Sequence, residues 1–231
     1  MFGDSIAFSN ENVPSSFLKY RLEKYIEGGE LYLDPKISSK KITIKVRYVE
    51  HSIISFTINN IIYGVAFDEG LSDNPSFILF VLKNNKWKDI GTTTGYRLFI
   101  SSSGNVYSEG DINDLFNAKR KYKLTNSKFK EIRQSLLLVD RDCNTNALAK
   151  IRADENDDSE IIAILPAGNP IKIIACKFFY SDFDIHKEIN RKGGYPFLVS
   201  TSFGLTGWVN IKPGYVYRRG TPVSCIHVIG P

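Results

Sequence analysis

The chain has 231 residues and a net charge of +5, an excess too small to indicate a nucleic-acid-binding protein by itself. Its 42% hydrophobic and 24% charged content is that of an ordinary folded protein. The sequence contains no run of 18 apolar residues, so no transmembrane helix is predicted. Abundant Tyr and Phe favour strands over helices. The length allows two modest domains.

The first predicted element is a helix that begins near Pro14 and ends before Gly28, because Gly28-Gly29 stops a helical run. Four apolar residues recur at helical spacing on one face, which predicts a packing element without chemistry of its own. These residues are Leu18, Leu22, Tyr25 and Ile26.

From Glu30 onward the apolar period changes to two, which predicts strands. The Asn-Asn pairs at 59–60 and 84–85 lie between apolar runs, and Asn tolerates the positive φ that tight hairpin turns need. A Ser-Gly turn at 103–104 joins two further strands. Asp111 is predicted to cap a second helix. The first part of the chain, residues 1–140, is therefore predicted to be an α+β domain with an antiparallel meander sheet.

The segment from Lys119 to Arg133 is rich in Lys and Arg. Such a run is typical of a solvated face, and an anion-binding patch is the alternative. The segment lacks the interleaved aromatic residues of single-strand readers. We therefore predict no specific nucleic-acid partner.

The sharpest pattern is the predicted hairpin at 198–209, a strand, a tight turn and a returning strand. Gly204 and Gly207 would supply the backbone freedom that a sharply bent hairpin needs. Trp208 is predicted to be mostly buried and structural, because a closing hairpin needs apolar bulk. These three residues are interpreted as structural.

This hairpin, read as Gly-x-x-Gly-Trp-Val at 204–209, resembles the end of a bacterial SH3-like (SH3b) domain. Upstream, 149–153 resembles the opening strand of that family, and 160–168 resembles its strand and Pro-x-Gly turn. The likeness covers about 144–211. It implies an all-β SH3-like barrel over residues 141–231, with a packed C-terminal extension.

The family has a short loop where this chain has a long insert at 175–196. Aromatic residues there are interspersed with charged ones, a composition typical of binding faces, although packing of the insert against its own barrel or the first domain is the alternative. The candidate ligand-binding residues in and near the insert are Phe179, Tyr180, Phe183, Tyr195 and Phe203.

The three His residues share no spacing that would place metal ligands together, so we expect neither a metal site nor a cofactor. The widely spaced cysteines, Cys143, Cys176 and Cys225, are interpreted as unpaired thiols, with a Cys143–Cys176 bridge as the alternative. Asp142-Cys143 resembles the Asp-Cys-Ser-Gly start of cell-wall cysteine endopeptidases. The motif departs at Asn144, so no enzymatic activity is predicted.

The resemblance implies a non-catalytic binding protein of the bacterial cell envelope, whose partner is a cell-wall glycan, peptide or protein. One alternative is a cytoplasmic immunity or inhibitor protein that binds a partner protein. Another is a cell-wall cysteine hydrolase that uses Cys143. The first residues lack a signal peptide. We therefore expect the cell envelope or periplasm if a leader was removed, and otherwise the cytoplasm.

Overall fold

The computed structural model describes residues 16–22, 29–46, 49–68, 75–112, 116–125, 128–177, 194–211 and 222–226. All regular elements in these ranges are strands, and none of these residues lies in a helix. The chain divides into two compact units. The first comprises Met1–Gly110 and Arg120–Ile132, and the second comprises Asp111–Lys119 and Arg133–Pro231.

The predicted α+β class is wrong, because the predicted N-terminal helix contains a strand. Strand β1 (Leu18–Leu22) pairs antiparallel with β2 (Gly29–Leu33). Leu18 and Leu22 are four residues apart, and this spacing fits a helix face as well as every second position of a strand. Pairing with β2, which the local pattern cannot reveal, decides between the two.

The second predicted helix is also absent from the described residues. Strand β9 (Asn105–Ile112) continues past the predicted cap at Asp111, and β10 (Phe116–Thr125) begins at one of the expected helical positions. The apolar residues in this stretch are too few to distinguish the two periods.

The predicted meander is confirmed for five strands but wrong for the last predicted hairpin, because the strands at 97–100 and 105–112 lie in the other sheet. Asn59, Asn60, Asn84 and Asn85 all have positive φ, between 49° and 62°, as the hairpin prediction requires. The five antiparallel strands follow chain order: β3 (Ser39–Val46), β4 (Val49–Ile58), β5 (Ile61–Asp68), β6 (Ser76–Lys83) and β7 (Lys86–Thr94).

The second sheet of this unit has the order β1-β2-β8-β9-β10, with β8 at Arg97–Ile100 and β11 (Lys128–Glu131) paired to β10. Strands β2 and β8 pair in parallel. Apolar side chains from both sheets form one buried core, whose larger members include Phe56, Tyr63, Phe77, Leu31 and Leu98. The predicted helical cover is thus replaced by a sheet.

In the second unit the strands pair in the order β12-β15-β16-β17-β13-β14, and every neighbouring pair is antiparallel. The bounds are β12 (Leu136–Asn144), β13 (Ala149–Arg152), β14 (Ile161–Leu165), β15 (Pro170–Lys177), β16 (Tyr195–Thr201) and β17 (Thr206–Ile211). The predicted SH3-like barrel is not confirmed, because among the described residues no pairing joins β14 back to β12.

A core of mainly aliphatic side chains lies in this second unit, with Ile151, Ile173 and Val199 fully buried. The described C-terminal residues add to this core. Val223 is fully buried and forms a bridge with Thr145, and the backbone N–H of Ser224 donates to Asn144 at 2.8 Å.

Candidate functional site

Three of the five predicted ligand-binding residues, Phe179, Tyr180 and Phe183, lie outside the described residues. The described ends of the predicted insert belong to strands, since β15 runs to Lys177 and β16 begins at Tyr195. The described part of the chain contains the other two predicted ligand-binding residues, Tyr195 and Phe203.

Tyr195 is half-buried and packs against the core of the second unit. Burial raises the pKa of its hydroxyl to about 12, and the nearby Cys176 thiol adds to the increase. The hydroxyl is therefore protonated at neutral pH. These contacts match the packing alternative better than a free binding face.

Phe203 has the most exposed of the large apolar side chains in the described residues, at 64% of its full accessible area. It lies in the turn between β16 and β17, where Gly204 has a φ of 85°, as the predicted tight turn requires. The turn is hydrogen-bonded at both ends: Thr201 N–H donates to the Leu205 carbonyl at 2.9 Å, and Leu205 N–H donates to Thr201 Oγ1 at 3.0 Å. An aromatic ring is thus held in solvent by an ordered turn.

The loop that joins β13 to β14, residues 153–160, follows Arg152, which pairs with Trp208 in the middle of β17. Its Glu155 contacts Asn210 and Lys177, which lie towards the end of the β16–β17 pair opposite to the turn that holds Phe203. The loop, hereafter the acidic loop, exposes the carboxylates of Asp154, Asp158 and Glu160. Phe203 and the turn that holds it, residues 202–205, are called the strand-end surface.

The acidic loop is anchored by the sheet beneath it. Arg152 donates a hydrogen bond to the Ser159 carbonyl at 2.6 Å and lies 3.5 Å from an Asp157 oxygen. Lys177 contacts the Glu155 carboxylate at 2.5 Å, and Asn210 Nδ2 donates to the Glu155 carbonyl at 3.2 Å. Glu155 and Asp157 are therefore engaged in holding the loop, although Asp157 is itself exposed, and the carboxylates of Asp154, Asp158 and Glu160 face solvent.

Trp208 is half-buried, so the prediction that it is mostly buried is only partly met. It lies on β17 opposite Leu198 on β16 and Arg152 on β13. The neighbouring Gly207 faces the core, where a Cβ atom would lie 2.6 Å from Ile151 Cγ2. Glycine at 207 is thus required by close packing, whereas at 204 it is required by backbone conformation.

A second exposed feature is apolar and was missed by sequence reasoning. Four of the eight exposed large apolar residues in the described ranges lie on or beside the β13–β14 hairpin. The continuous apolar run of β14 is typical of a buried strand, and no local signal reveals that its side chains are exposed. This hairpin surface consists of Leu148, Ile161, Ile162 and Ile164, with exposed fractions of 59%, 39%, 37% and 53%.

The cysteine pairing differs from both interpretations of the sequence. Cys143 and Cys225 form a disulfide with a Cα–Cα distance of 5.4 Å, across a sequence separation of 82. Cys176 is the buried free thiol, and burial raises its pKa well above the usual value. The bridge links β12 to the C-terminal segment that packs on the second unit, and no sequence spacing predicts such a long-range partner.

The basic segment contributes to the first unit through strands β10 and β11. Lys121 Nζ lies 5.8 Å from the centre of the Tyr107 ring, and Lys123 Nζ donates to Asn105 Oδ1 at 2.8 Å. These contacts show that two of its cations serve the unit's own packing. The described ranges contain no group of three potential metal ligands among His, Cys, Asp and Glu.

Within the described part of the chain there is no helix of the length and apolar character that a membrane crossing requires. No family model matches the chain, and neither a curated protein nor a solved structure matches it. The likeness to bacterial SH3-like domains therefore rests on the short motifs quoted above. Function has to be argued from the surfaces themselves.

Proposed function

We propose that this chain is a non-catalytic binding protein of the bacterial cell envelope. Its partner is a cell-wall glycan, peptide or protein, and the contact is made by the strand-end surface of the second unit. The observation that carries the proposal is Phe203, a 64% exposed aromatic ring held in an ordered turn.

An exposed aromatic side chain in a hydrogen-bonded turn is a good binding element because little conformational entropy is lost on contact. Aromatic residues are enriched at binding interfaces for their large contact area. The exposed carboxylates of Asp154, Asp158 and Glu160 on the acidic loop of the same unit offer acceptors for hydroxyl or ammonium groups. Cell-wall glycans present the first of these groups, and peptides present the second.

The envelope setting is supported by the Cys143–Cys225 disulfide. Structural disulfides form and persist in oxidising compartments and are rare in the cytosol. This observation favours the envelope over the cytoplasmic immunity-protein alternative. It also bears on the hydrolase alternative, because a disulfide-bonded Cys143 has no thiolate to act as a nucleophile.

The proposal is tested by co-sedimentation of the purified protein with insoluble peptidoglycan sacculi. We expect the wild type to pellet with the sacculi, and Phe203→Ser to reduce the bound fraction at least fivefold. Leu148→Ser is the matched control, since Leu148 is similarly exposed at 59% but lies outside the strand-end surface. It should bind like the wild type.

Digestion of the sacculi distinguishes the ligand classes. Soluble glycan fragments and soluble stem peptides are offered separately as competitors, and the fragment that releases the protein identifies the class. Absence of wild-type binding to intact sacculi, or full binding by Phe203→Ser, would contradict the proposal.

A further inference from the structure

Strand β14 is the last strand in the pairing order of the second unit. One of its edges pairs with β13, from Ala149 opposite Leu165 to Arg152 opposite Ile161. Among the described residues no strand pairs with its other edge. The backbone N–H and C=O groups along that edge are therefore able to accept a further strand.

The side chains of β14 lack the usual protection of a sheet edge. Natural edge strands carry charged residues or proline, which discourage pairing with other chains. The run from Ile161 to Leu165 contains neither, and Ile161, Ile162 and Ile164 are 37–53% exposed. The pairing of β14 with β13 has one shift in register. Ile151 lies opposite Ala163 and Arg152 lies opposite Ile161, so Ile162 is an extra residue with none opposite it on β13. Exposed apolar residues concentrated at one edge are typical of a covered interface.

We propose that this edge pairs antiparallel with β14 of a second copy of the chain. The run Ile-Ile-Ala-Ile-Leu reads almost the same in both directions about Ala163. A two-fold axis at Ala163 places Ile162 opposite the partner's Ile164, and Ile161 opposite the partner's Leu165. Such self-complementarity is what a symmetric dimer interface requires.

Charge supports the antiparallel arrangement. The acidic loop precedes β14, so a parallel pair would bring two acidic loops together. In the antiparallel pair the loops lie at opposite ends, and Glu160 faces the uncharged Pro166 of the partner subunit. Like charges directly opposite each other destabilise strand pairs, and this arrangement avoids them.

The first test is sedimentation equilibrium of the full chain over a micromolar concentration range. We expect the wild type to approach twice the chain mass of 26.1 kDa. Ile164→Lys places a charge in the interface and should weaken association at least tenfold. Ile62→Lys is the matched control, because Ile62 is 38% exposed on the first unit and should not alter association. Thermal unfolding of each variant establishes that it is folded.

The second test identifies the register. In an antiparallel pair, directly opposite Cα atoms lie about 4.5–5.5 Å apart, which is within the range of a disulfide. Ala163→Cys should therefore give a covalent dimer under mild oxidation, seen on a non-reducing gel. Ile62→Cys should not.

A wild type that stays at 26.1 kDa at about 100 µM, far above a micromolar dissociation constant, would overturn the proposal. So would an Ile164→Lys variant that associates like the wild type, or a dimer without the Ala163→Cys cross-link. The pairing does not use Phe203. Its failure would therefore leave the proposed envelope binding intact, and failure of sacculus binding would leave the dimer intact.

Discussion

The two units bury different kinds of core. The first unit packs two sheets against each other with large aromatic side chains, including Phe56, Tyr63, Phe67 and Phe77. The second unit has a mainly aliphatic core in which Phe197 is the only fully buried aromatic residue among those described. The second unit adds a disulfide, which ties its C-terminal segment to β12.

The two units also differ in how many large apolar residues they expose, and here the second unit has more. Five of the eight exposed large apolar residues in the described ranges belong to the second unit, in the hairpin surface and at Phe203. The first unit buries large aromatic side chains, whereas the second unit leaves four aliphatic side chains and one aromatic ring exposed. Apolar residues thus stabilise the core of the first unit, whereas the second unit leaves some of its apolar residues available for contacts.

The largest effect is expected from the disulfide. Replacing both Cys143 and Cys225 with Ala removes a cross-link over a separation of 82, which the chain-entropy relation values at about 4.5 kcal/mol. Calorimetry should show a large decrease in the unfolding temperature of the second unit. The transition of the first unit should not move.

Cys176→Ala is the control for this prediction, because Cys176 is buried but unbridged. It should cause a smaller loss, on the order of 1 kcal/mol, from the cavity left by one sulfur atom. Equal stability of the wild type with and without a reductant would contradict a structural role for the bridge.

A smaller loss of stability is expected when either tryptophan is replaced. Each unit contains one tryptophan, so the two substitutions can be compared directly. Trp87 and Trp208 are both half-buried, in the first and second unit respectively. Alanine at either position should lower stability by about 2 kcal/mol, below the 3–5 kcal/mol of a fully buried aromatic residue. Calorimetry should show a lower unfolding temperature only for the unit that contains the substituted tryptophan. A loss of sacculus binding without a loss of stability for Trp208→Ala would instead assign Trp208 to the binding surface.

The smallest effect is a pH dependence in the first unit. Glu30 is 2.6 Å from Lys19 Nζ and 3.1 Å from Arg97 Nε. Burial by itself raises the pKa of its carboxyl, but hydrogen bonds from Lys19 and Tyr32 outweigh this and lower the pKa below 4.5. A carboxyl with a lowered pKa in the folded state adds stability above the unfolded pKa and loses it as the pH falls through the folded pKa.

Glu30→Gln should therefore reduce the loss of stability between neutral pH and pH values below about 4.5. The difference should be at most about 1 kcal/mol, because these ion pairs are partly exposed. Chemical denaturation across this pH range measures it. Glu160→Gln, an exposed position in the acidic loop, should leave the first unit's profile unchanged.

The local features of this fold follow from the amino-acid sequence alone. Asn59-Asn60 and Asn84-Asn85 marked the hairpins, because few other residues adopt positive φ at low energetic cost. Gly204 marked the turn that exposes Phe203 for the same reason. The alternating periods predicted the meander, since alternation depends only on neighbouring residues.

Tertiary structure decided the rest, because it depends on residues far apart in the chain. Strand pairing made Leu18–Leu22 a strand, although its spacing also fits a helix. The fold brought Cys225 to Cys143, whereas the sequence suggested free thiols or Cys176 as the partner. It also left the isoleucines of β14 exposed at a sheet edge, although their apolar run predicts burial. Local rules determine which residues turn and which extend, and only non-local pairing determines which faces and edges are covered.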